Sequence, residues 1–159
     1  MHLLQFSYDS VKDYSVSMRH KLLDVVFEKN PSSSVIRKLI QGISEDACEK
    51  EGMPPIEPFA FLIRDDERNL IAGVAGAQFF GSLYIDQLWV DKTERTEGLG
   101  SDLMKRCEEF AREKNCSFIT LNTMDFQALS FYQKLGFFVE FQSRGYTHGS
   151  ICFYLRKNL

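Results

Sequence analysis

The 159-residue sequence is poor in the residues that bind metals and that cross-link small domains. It has three histidines and four cysteines, and no two cysteines form a Cys-x-x-Cys pair. No clustered spacing of metal ligands is found either, so we expect no metal site. Free thiols fit a reducing compartment, so the cytoplasm is the expected location.

Long apolar runs and concentrated positive charge are also missing. No stretch approaches the roughly eighteen apolar residues of a membrane span. Residues 1–6 lack the positively charged segment and the long apolar run that begin a signal peptide. The lysines and arginines are scattered and the net charge is −3, which disfavours nucleic-acid binding as the main function. Phenylalanine is abundant, with fourteen residues, and this predicts a core or a pocket with aromatic walls.

The spacing of apolar residues predicts one domain over residues 1–159, an α/β (α+β) fold with a mixed sheet and helices on its faces. The predicted elements are a strand at 2–8, helices at 10–29 and after Ser32-Ser33-Ser34, a hairpin of strands at 59–63 and 70–80, a central strand at 83–90, a long helix after Gly100, a strand at 117–121, a short helix capped by Asp125 and closed by Gly136, and strands at 137–141 and 151–155. On the long helix, Asp102/Arg106 and Glu108/Arg112 are predicted i,i+4 ion pairs.

The segment Arg95-Thr96-Glu97-Gly98-Leu99-Gly100 stands between the predicted central strand and the long helix. A helix start presents free backbone N–H groups and the positive end of the helix dipole. Glycines let an anion approach the backbone, and the guanidinium of Arg95 suits phosphate oxygens. A purely conformational turn is the alternative, which the flanking strand, helix and arginine disfavour. A dinucleotide fingerprint would need a third glycine where Leu103 stands, and a Walker loop would need Gly-Lys-Ser/Thr.

This segment resembles the pyrophosphate motif Gln/Arg-x-x-Gly-x-Gly/Ala of the GNAT superfamily of acyl-CoA-dependent N-acetyltransferases. A second signature of that family, Ala-x-x-Phe-Tyr-x-x-x-Gly-Phe, is matched by residues 128–137. The resemblance covers about residues 59–141 and is weak over the first fifty. It implies a V-shaped, mostly antiparallel sheet flanked by helices, splayed between the strands at 83–90 and 117–121, with acetyl-CoA as co-substrate in the cleft.

The resemblance also implies roles for individual residues. The cofactor-binding residues would be Leu88, Trp89, Val90, Arg95, Thr96, Glu97, Gly98, Leu99, Gly100, Ser101, Phe131 and Tyr132. The Leu88 N–H would polarise the thioester carbonyl, and Tyr132 would protonate the leaving thiolate. A core aromatic with its hydroxyl at the rim is the alternative for Tyr132. The side chain of Trp89 faces away from that of Leu88, which favours a core position.

The acceptor side is less determined by the sequence. Asp86 is predicted to share a strand face with Tyr84, Leu88 and Val90. A carboxylate on a central strand is costly unless it is paired or functional, so a general base or amine anchor is one hypothesis and a hydrogen-bonded structural acid is the other. His148, in the loop at 145–149, is a second base, a substrate contact or a solvated residue. Tyr84, Asp86 and His148 are the candidate substrate contacts.

The sequence therefore predicts an enzyme that moves an acetyl group from acetyl-CoA to a primary amine of a small molecule, by direct attack in a ternary complex. Two alternatives stay open: an acetyltransferase acting on protein N termini or lysines, and a catalytically silent acyl-CoA-binding module. Members of the family dimerise through sheet edges or C-terminal strands, so a homodimer through residues 151–155 also stays open.

Overall fold

The computed structural model describes Val16–Met18, Lys21–Leu23 and residues 25–159. The chain divides into two compact units, Met1–Lys38 and Leu39–Leu159. In the first unit, β1 (Val16–Met18) pairs antiparallel with β2 (Lys21–Leu23). The helix predicted at 10–29 is therefore wrong in these segments, where Val16-Ser17-Met18 also has the period-two alternation of a strand. The strand predicted at 2–8 lies outside the described residues.

The remaining elements follow in the order that the sequence predicts from the second helix onward. They are α1 (Ser33–Glu51), β3 (Glu57–Arg64), β4 (Leu70–Phe79), β5 (Ser82–Val90), α2 (Leu99–Glu113), β6 (Phe118–Met124), α3 (Leu129–Lys134), β7 (Phe138–Ser143) and β8 (Cys152–Asn158). Six strands form one sheet in the order β3-β4-β5-β6-β8-β7, in which only the β5–β6 pair is parallel. The predicted mixed, mostly antiparallel sheet flanked by helices is confirmed.

Helix α2 covers the middle of this sheet. Leu103, Met104, Cys107 and Ala111 are buried on it, because their three- and four-residue spacing places them on one helix face. Burial raises the pKa of the Cys107 thiol to about 12. All four cysteines are free, and only Cys48 is exposed.

The ion pairs predicted along α2 are wrong. Arg106 bonds Glu109 at 2.9 Å, one turn further along the helix, while Glu108 pairs with Lys157 on β8. The Glu108–Lys157 pair is partly buried and connects α2 to the sheet, whereas the predicted pairs would lie on the solvent-exposed face of the helix. No helix in the described ranges is long and apolar enough to cross a membrane.

The parallel ladder between β5 and β6 is short. It joins residues 82–85 to residues 118–121 and then stops. Beyond it, the rest of β5 pairs with β4 alone, and the rest of β6 pairs with β8 alone. The sheet therefore splays open at its centre, between the two strands named by the sequence analysis.

A bulge lies on β5 at the point where the splay begins. Ala75 is opposite Gln87 and Gly76 is opposite Ile85, so Asp86 has no partner on β4. A Cβ atom on Gly76 would lie 1.9 Å from the Tyr84 carbonyl oxygen, so only glycine fits there.

The bulge breaks the period-two alternation of the strand. Leu88 and Val90 are opposite the buried Val74 and Ala72, so they share a sheet face with Ile85. The predicted shared face of Tyr84, Leu88 and Val90 is wrong for this reason.

Candidate active site

A cleft of about 950 Å³ opens where β5 and β6 separate. One wall is the far half of β5, residues 86–90. The floor is the loop that leads into α2 and the first residues of that helix. The other wall is the end of β6, the loop at 126–128 and the side of α3 that carries Phe131 and Tyr132. The splay of the sheet thus creates a site that the pairing of β5 with β6 would otherwise close.

The start of α2 presents unsatisfied donors to this cleft. Gly98 has φ 87°, a left-handed conformation that favours glycine, and its carbonyl accepts from the N–H groups of Ser101 and Asp102 at 2.9 and 3.0 Å. Among the described residues, no backbone carbonyl accepts from the N–H of Gly98, Leu99 or Gly100. Together with the helix dipole, these three donors suit an anion.

Arg95 connects the loop to the end of β5. Its Nε donates to the carbonyl of Val90 at 3.1 Å, and its terminal guanidinium nitrogens have no hydrogen-bond partner in the described part of the chain. The arginine therefore has one donor that holds the loop in place and others that are free for a ligand. Next to it, Thr96 has φ 82°, so the tight turn into α2 strains a non-glycine residue.

Tyr132 is buried in the wall of the cleft. Its side chain is 8% exposed, and its ring packs edge-on against Phe131 and Phe137, with centroids 5.1 and 5.9 Å away. Burial raises the pKa of the Tyr132 hydroxyl above its usual value, because the low-dielectric surroundings penalise the phenolate. The group therefore keeps its proton at neutral pH and is suited to donate it.

The helix that carries Tyr132 is not capped by Asp125, contrary to the prediction. Its N-cap is Ala128, and side chains outside the helix bond the preceding turn. Thr123 Oγ1 accepts from the Ala128 N–H at 3.4 Å, and Gln127 Oε1 accepts from the Met124 N–H at 2.9 Å. Asp125 donates its N–H to the carbonyl of Ile151 instead.

Asp86 is exposed in the cleft, whereas the sequence suggested a costly buried carboxylate. The bulge turns it out of the regular alternation, and its carboxylate accepts a hydrogen bond from the amide of Gln87. Burial, and after it the negative charge of Asp86, raises the pKa of the nearby Tyr84 hydroxyl.

Most predicted site residues line the cleft, but not all of them do. Glu97, Tyr84 and His148 are outside its lining, and His148 is exposed in its loop with φ 59°. Trp89 does line it and is 45% exposed, so the core position favoured by its strand face is wrong.

Several lining residues were missed by the sequence analysis. Asn122 follows the last residue of β6 that pairs with β5, and its Nδ2 donates to the Tyr84 hydroxyl at 3.2 Å. Phe126 is 72% exposed at the mouth of the cleft. An amide side chain inside a strand whose other residues are apolar or threonine could have pointed to Asn122, whereas no sequence signal separates Phe126 from the other phenylalanines.

Comparisons with known proteins agree with this geometry. The chain is 39% identical over 84 residues to blasticidin-S acetyltransferase of Streptomyces morookaense, an alignment that covers 52% of this chain and 62% of that protein. It is 33% identical over 75 residues to an acetyltransferase of Agrobacterium fabrum, covering 47% and 55%. The alignments thus span less than two thirds of these curated relatives.

A solved acetyltransferase of Bacillus cereus superposes with a TM-score of 0.67 at 28% identity, covering 84% of this chain and 98% of that one. A Bacillus anthracis structure, described as a candidate streptothricin acetyltransferase in complex with acetyl coenzyme A, has a TM-score of 0.59 at 22% identity and covers 65% and 63%; it supports the fold. Residues 33–137 match the description "Acetyltransferase (GNAT) family". Since that match takes in more than half of the chain, the helix-start loop and the helix of Tyr132, the chain belongs to the acetyltransferase (GNAT) family.

Proposed function

We propose that this chain transfers the acetyl group of acetyl-CoA to a primary amine of a small molecule, by direct attack in a ternary complex. The splayed cleft carries this proposal, because it combines an unsatisfied helix start with a buried Tyr132 hydroxyl in its wall. Its volume of about 950 Å³ suits a small-molecule site. The similarity to a protein named for blasticidin-S, an antibiotic, supports a small-molecule acceptor.

The cofactor end of the cleft is built from backbone groups. The N–H groups of Gly98, Leu99 and Gly100 and the free nitrogens of Arg95 would bind the pyrophosphate. The edge of β5 that faces away from β4 has no strand partner at Leu88 and Val90. Unpaired strand groups need partners, and an extended arm with amide groups, such as pantetheine, supplies them. The other members of the set that line the cleft, Thr96, Ser101, Trp89 and Phe131, would complete this contact.

The chemistry requires a neutral amine. A lysine-like amine has a pKa near 10.4, so only ~1 in 2,500 molecules is neutral at pH 7, a barrier of about 4.6 kcal/mol. Asp86, exposed in the cleft, would take the amine proton directly or through a water. The nitrogen then forms a bond to the thioester carbon while the Leu88 N–H stabilises the carbonyl oxygen. The carbon–sulfur bond breaks, and the Tyr132 hydroxyl gives its proton to the thiolate. A second proton leaves the nitrogen and restores the Tyr132 hydroxyl through water, while Asp86 releases its proton to solvent, leaving an amide and free CoA.

Release of the CoA thiol tests this proposal directly. Purified Cys48→Ser protein is mixed with acetyl-CoA, a panel of primary amines and a thiol reagent, because the exposed Cys48 of the native chain would itself react. We expect release that depends on the amine. No release with any amine, despite tight binding of acetyl-CoA, would instead favour a silent binding module. Mass spectrometry of proteins incubated with labelled acetyl-CoA would reveal a protein acceptor.

Removing the side chain of Arg95 should weaken acetyl-CoA binding. A hydrogen bond to a charged group contributes about 1.5–3 kcal/mol, so we expect Arg95→Ala to raise the dissociation constant about 10- to 100-fold in calorimetric titration. Arg112→Ala, at the exposed far end of the same helix, is the matched control and should leave affinity unchanged. Equal affinities of the two variants would show that Arg95 only holds the loop to Val90.

A further inference from the structure

The sheet face opposite α2 carries a line of side chains that the proposed reaction does not yet use. On β6 and β8, Leu121 and Leu155 are buried at 2% and 1% exposure. Their neighbours along the strand, Asn122 and Tyr154, therefore point to the opposite face. That opposite face holds the aromatic row, defined as Tyr84 on β5, Asn122 on β6, Tyr154 on β8 and Phe141 on β7.

The members of the aromatic row are neighbours across four strands. Asn122 Nδ2 bonds the Tyr84 hydroxyl at 3.2 Å, and Asn122 and Tyr154 are register partners. Tyr154 and Phe141 are also register partners, with ring centroids 5.5 Å apart. Neighbouring strands are about 4.8 Å apart, so the row spans roughly 14 Å. Tyr154 is 39% exposed and Phe141 is 59% exposed, so their rings are accessible from solvent.

One end of the aromatic row reaches the cleft, and that end is negatively charged. Asn122 belongs both to the row and to the cleft lining, and Asp86 lies in the cleft two residues after Tyr84. The charge of Asp86 contributes to the raised pKa of Tyr84. The row thus leads from a carboxylate in the cleft to two exposed rings at the edge of the sheet.

Arg156, a cation on the same face of β8, is already engaged. Arg156, two residues after Tyr154, lies 3.7 Å above the ring of Phe118 and pairs with Glu140 at 3.5 Å. Among the described residues, no lysine or arginine lies over the ring of Tyr154 or Phe141.

We propose that the aromatic row is the acceptor subsite, and that the acceptor is a cationic amine joined by a spacer to a planar ring. The amine would lie at Asp86 and the ring on Tyr154 and Phe141. This inference rests on the proposed function. Planar rings stack on aromatic side chains through complementary quadrupoles, which a saturated ring of the same size does not offer. The length of the row favours an extended acceptor.

Two matched amines test the subsite. 4-Phenylbutylamine and 4-cyclohexylbutylamine share the amine and the spacer and differ in the planarity of the ring. We expect kcat/KM for the phenyl compound to be about tenfold higher. Phe141→Leu and Tyr154→Leu should each reduce this ratio severalfold without changing the KM for acetyl-CoA. Tyr154→Phe keeps the ring and should retain the native ratio. Phe80→Leu, which changes an exposed phenylalanine of the β4–β5 turn, should retain the native ratio as well.

Equal kcat/KM values for the two amines, or a ratio that survives both leucine variants, would overturn the inference. If neither amine releases thiol while other amines of the panel do, the inference is overturned and the proposed function stands. If no amine of the panel releases thiol, the proposed function fails, and calorimetric binding of the two amines to the CoA-bound protein decides about the subsite. Tighter binding of the phenyl compound that Phe141→Leu removes would support it, and equal binding would refute it. Thermal melting of each variant verifies that it is folded, which the exposure of both rings leads us to expect.

Discussion

Gly76→Ala is expected to lower the free energy of unfolding by more than about 3 kcal/mol, because the new Cβ has no space. It would lie 1.9 Å from the Tyr84 carbonyl oxygen and 3.1 Å from the Ile85 Cα. Both atoms belong to the backbone of the neighbouring strand, so no side-chain rotation relieves the overlap. Strands β4 and β5 would have to move apart at the bulge. This would also displace Asp86, on which the proposed proton transfer depends.

Gly73→Ala in the same strand is the matched control for this prediction. Its Cβ would meet the Cδ2 atom of Leu62 at 2.9 Å, and Leu62 is an exposed side chain that can rotate away. We expect a change within about 1 kcal/mol, measured for both variants by urea denaturation. Similar costs at Gly73 and Gly76 would mean that the bulge relaxes freely and does not require glycine.

Tyr132→Phe is expected to lower kcat by a factor of about 10²–10⁴, the usual contribution of a positioned general acid. In the described structure no other group hydrogen-bonds the Tyr132 hydroxyl, and phenylalanine keeps the ring that packs on Phe131 and Phe137. The dissociation constant of acetyl-CoA and the urea stability should therefore stay close to those of the native protein. Unchanged turnover at pH 7 would remove the acid role from Tyr132.

The pH profile of Tyr132→Phe makes this prediction sharper. Burial raises the pKa of Tyr132, and an acid is available below its pKa and lost above it, so the native enzyme should keep this contribution up to at least about pH 10. A thiol has a pKa of about 8.5, so above that pH the CoA thiolate can leave without being protonated. The deficit of the variant in kcat should therefore shrink between pH 7 and pH 9.5. A deficit that grows with pH would contradict donation to the thiolate.

The parts of the fold that repeat with a regular period were predictable from the sequence. Apolar residues that repeat every 3.6 residues predicted α2 and its buried face, and a polar turn predicted the β3–β4 hairpin. Gly136 ends α3 with φ 88°, as its residue type predicted. The two family signatures located the helix start and Tyr132. These signals are local, because each depends on the neighbours of a residue along the chain.

The bulge at Asp86 was not predictable in this way. It depends on the close approach of Gly76 to the backbone at Tyr84, a contact between strands, and alternation carried through Asp86 assigns every later side chain of β5 to the wrong face. The exposure of Trp89 was missed because the splay that exposes it is equally non-local. Asp125 has the right chemistry for a cap, but the turn after β6 is satisfied by Thr123 and Gln127 first.

The ladder between β5 and β6 is the shortest in the six-stranded sheet and lies at its centre. It is four residues long, while the ladders on either side of it are eight and seven residues long. Each half of the sheet is thus held together by its own antiparallel strands. In the proposed reaction the half that contains β5 supplies the strand edge and leads into the loop that would bind acetyl-CoA, and the other half carries most of the acceptor subsite. We therefore expect that changes in β6, β7 and β8 can alter the choice of acceptor while the strand β5 and the start of α2, which would bind acetyl-CoA, stay the same.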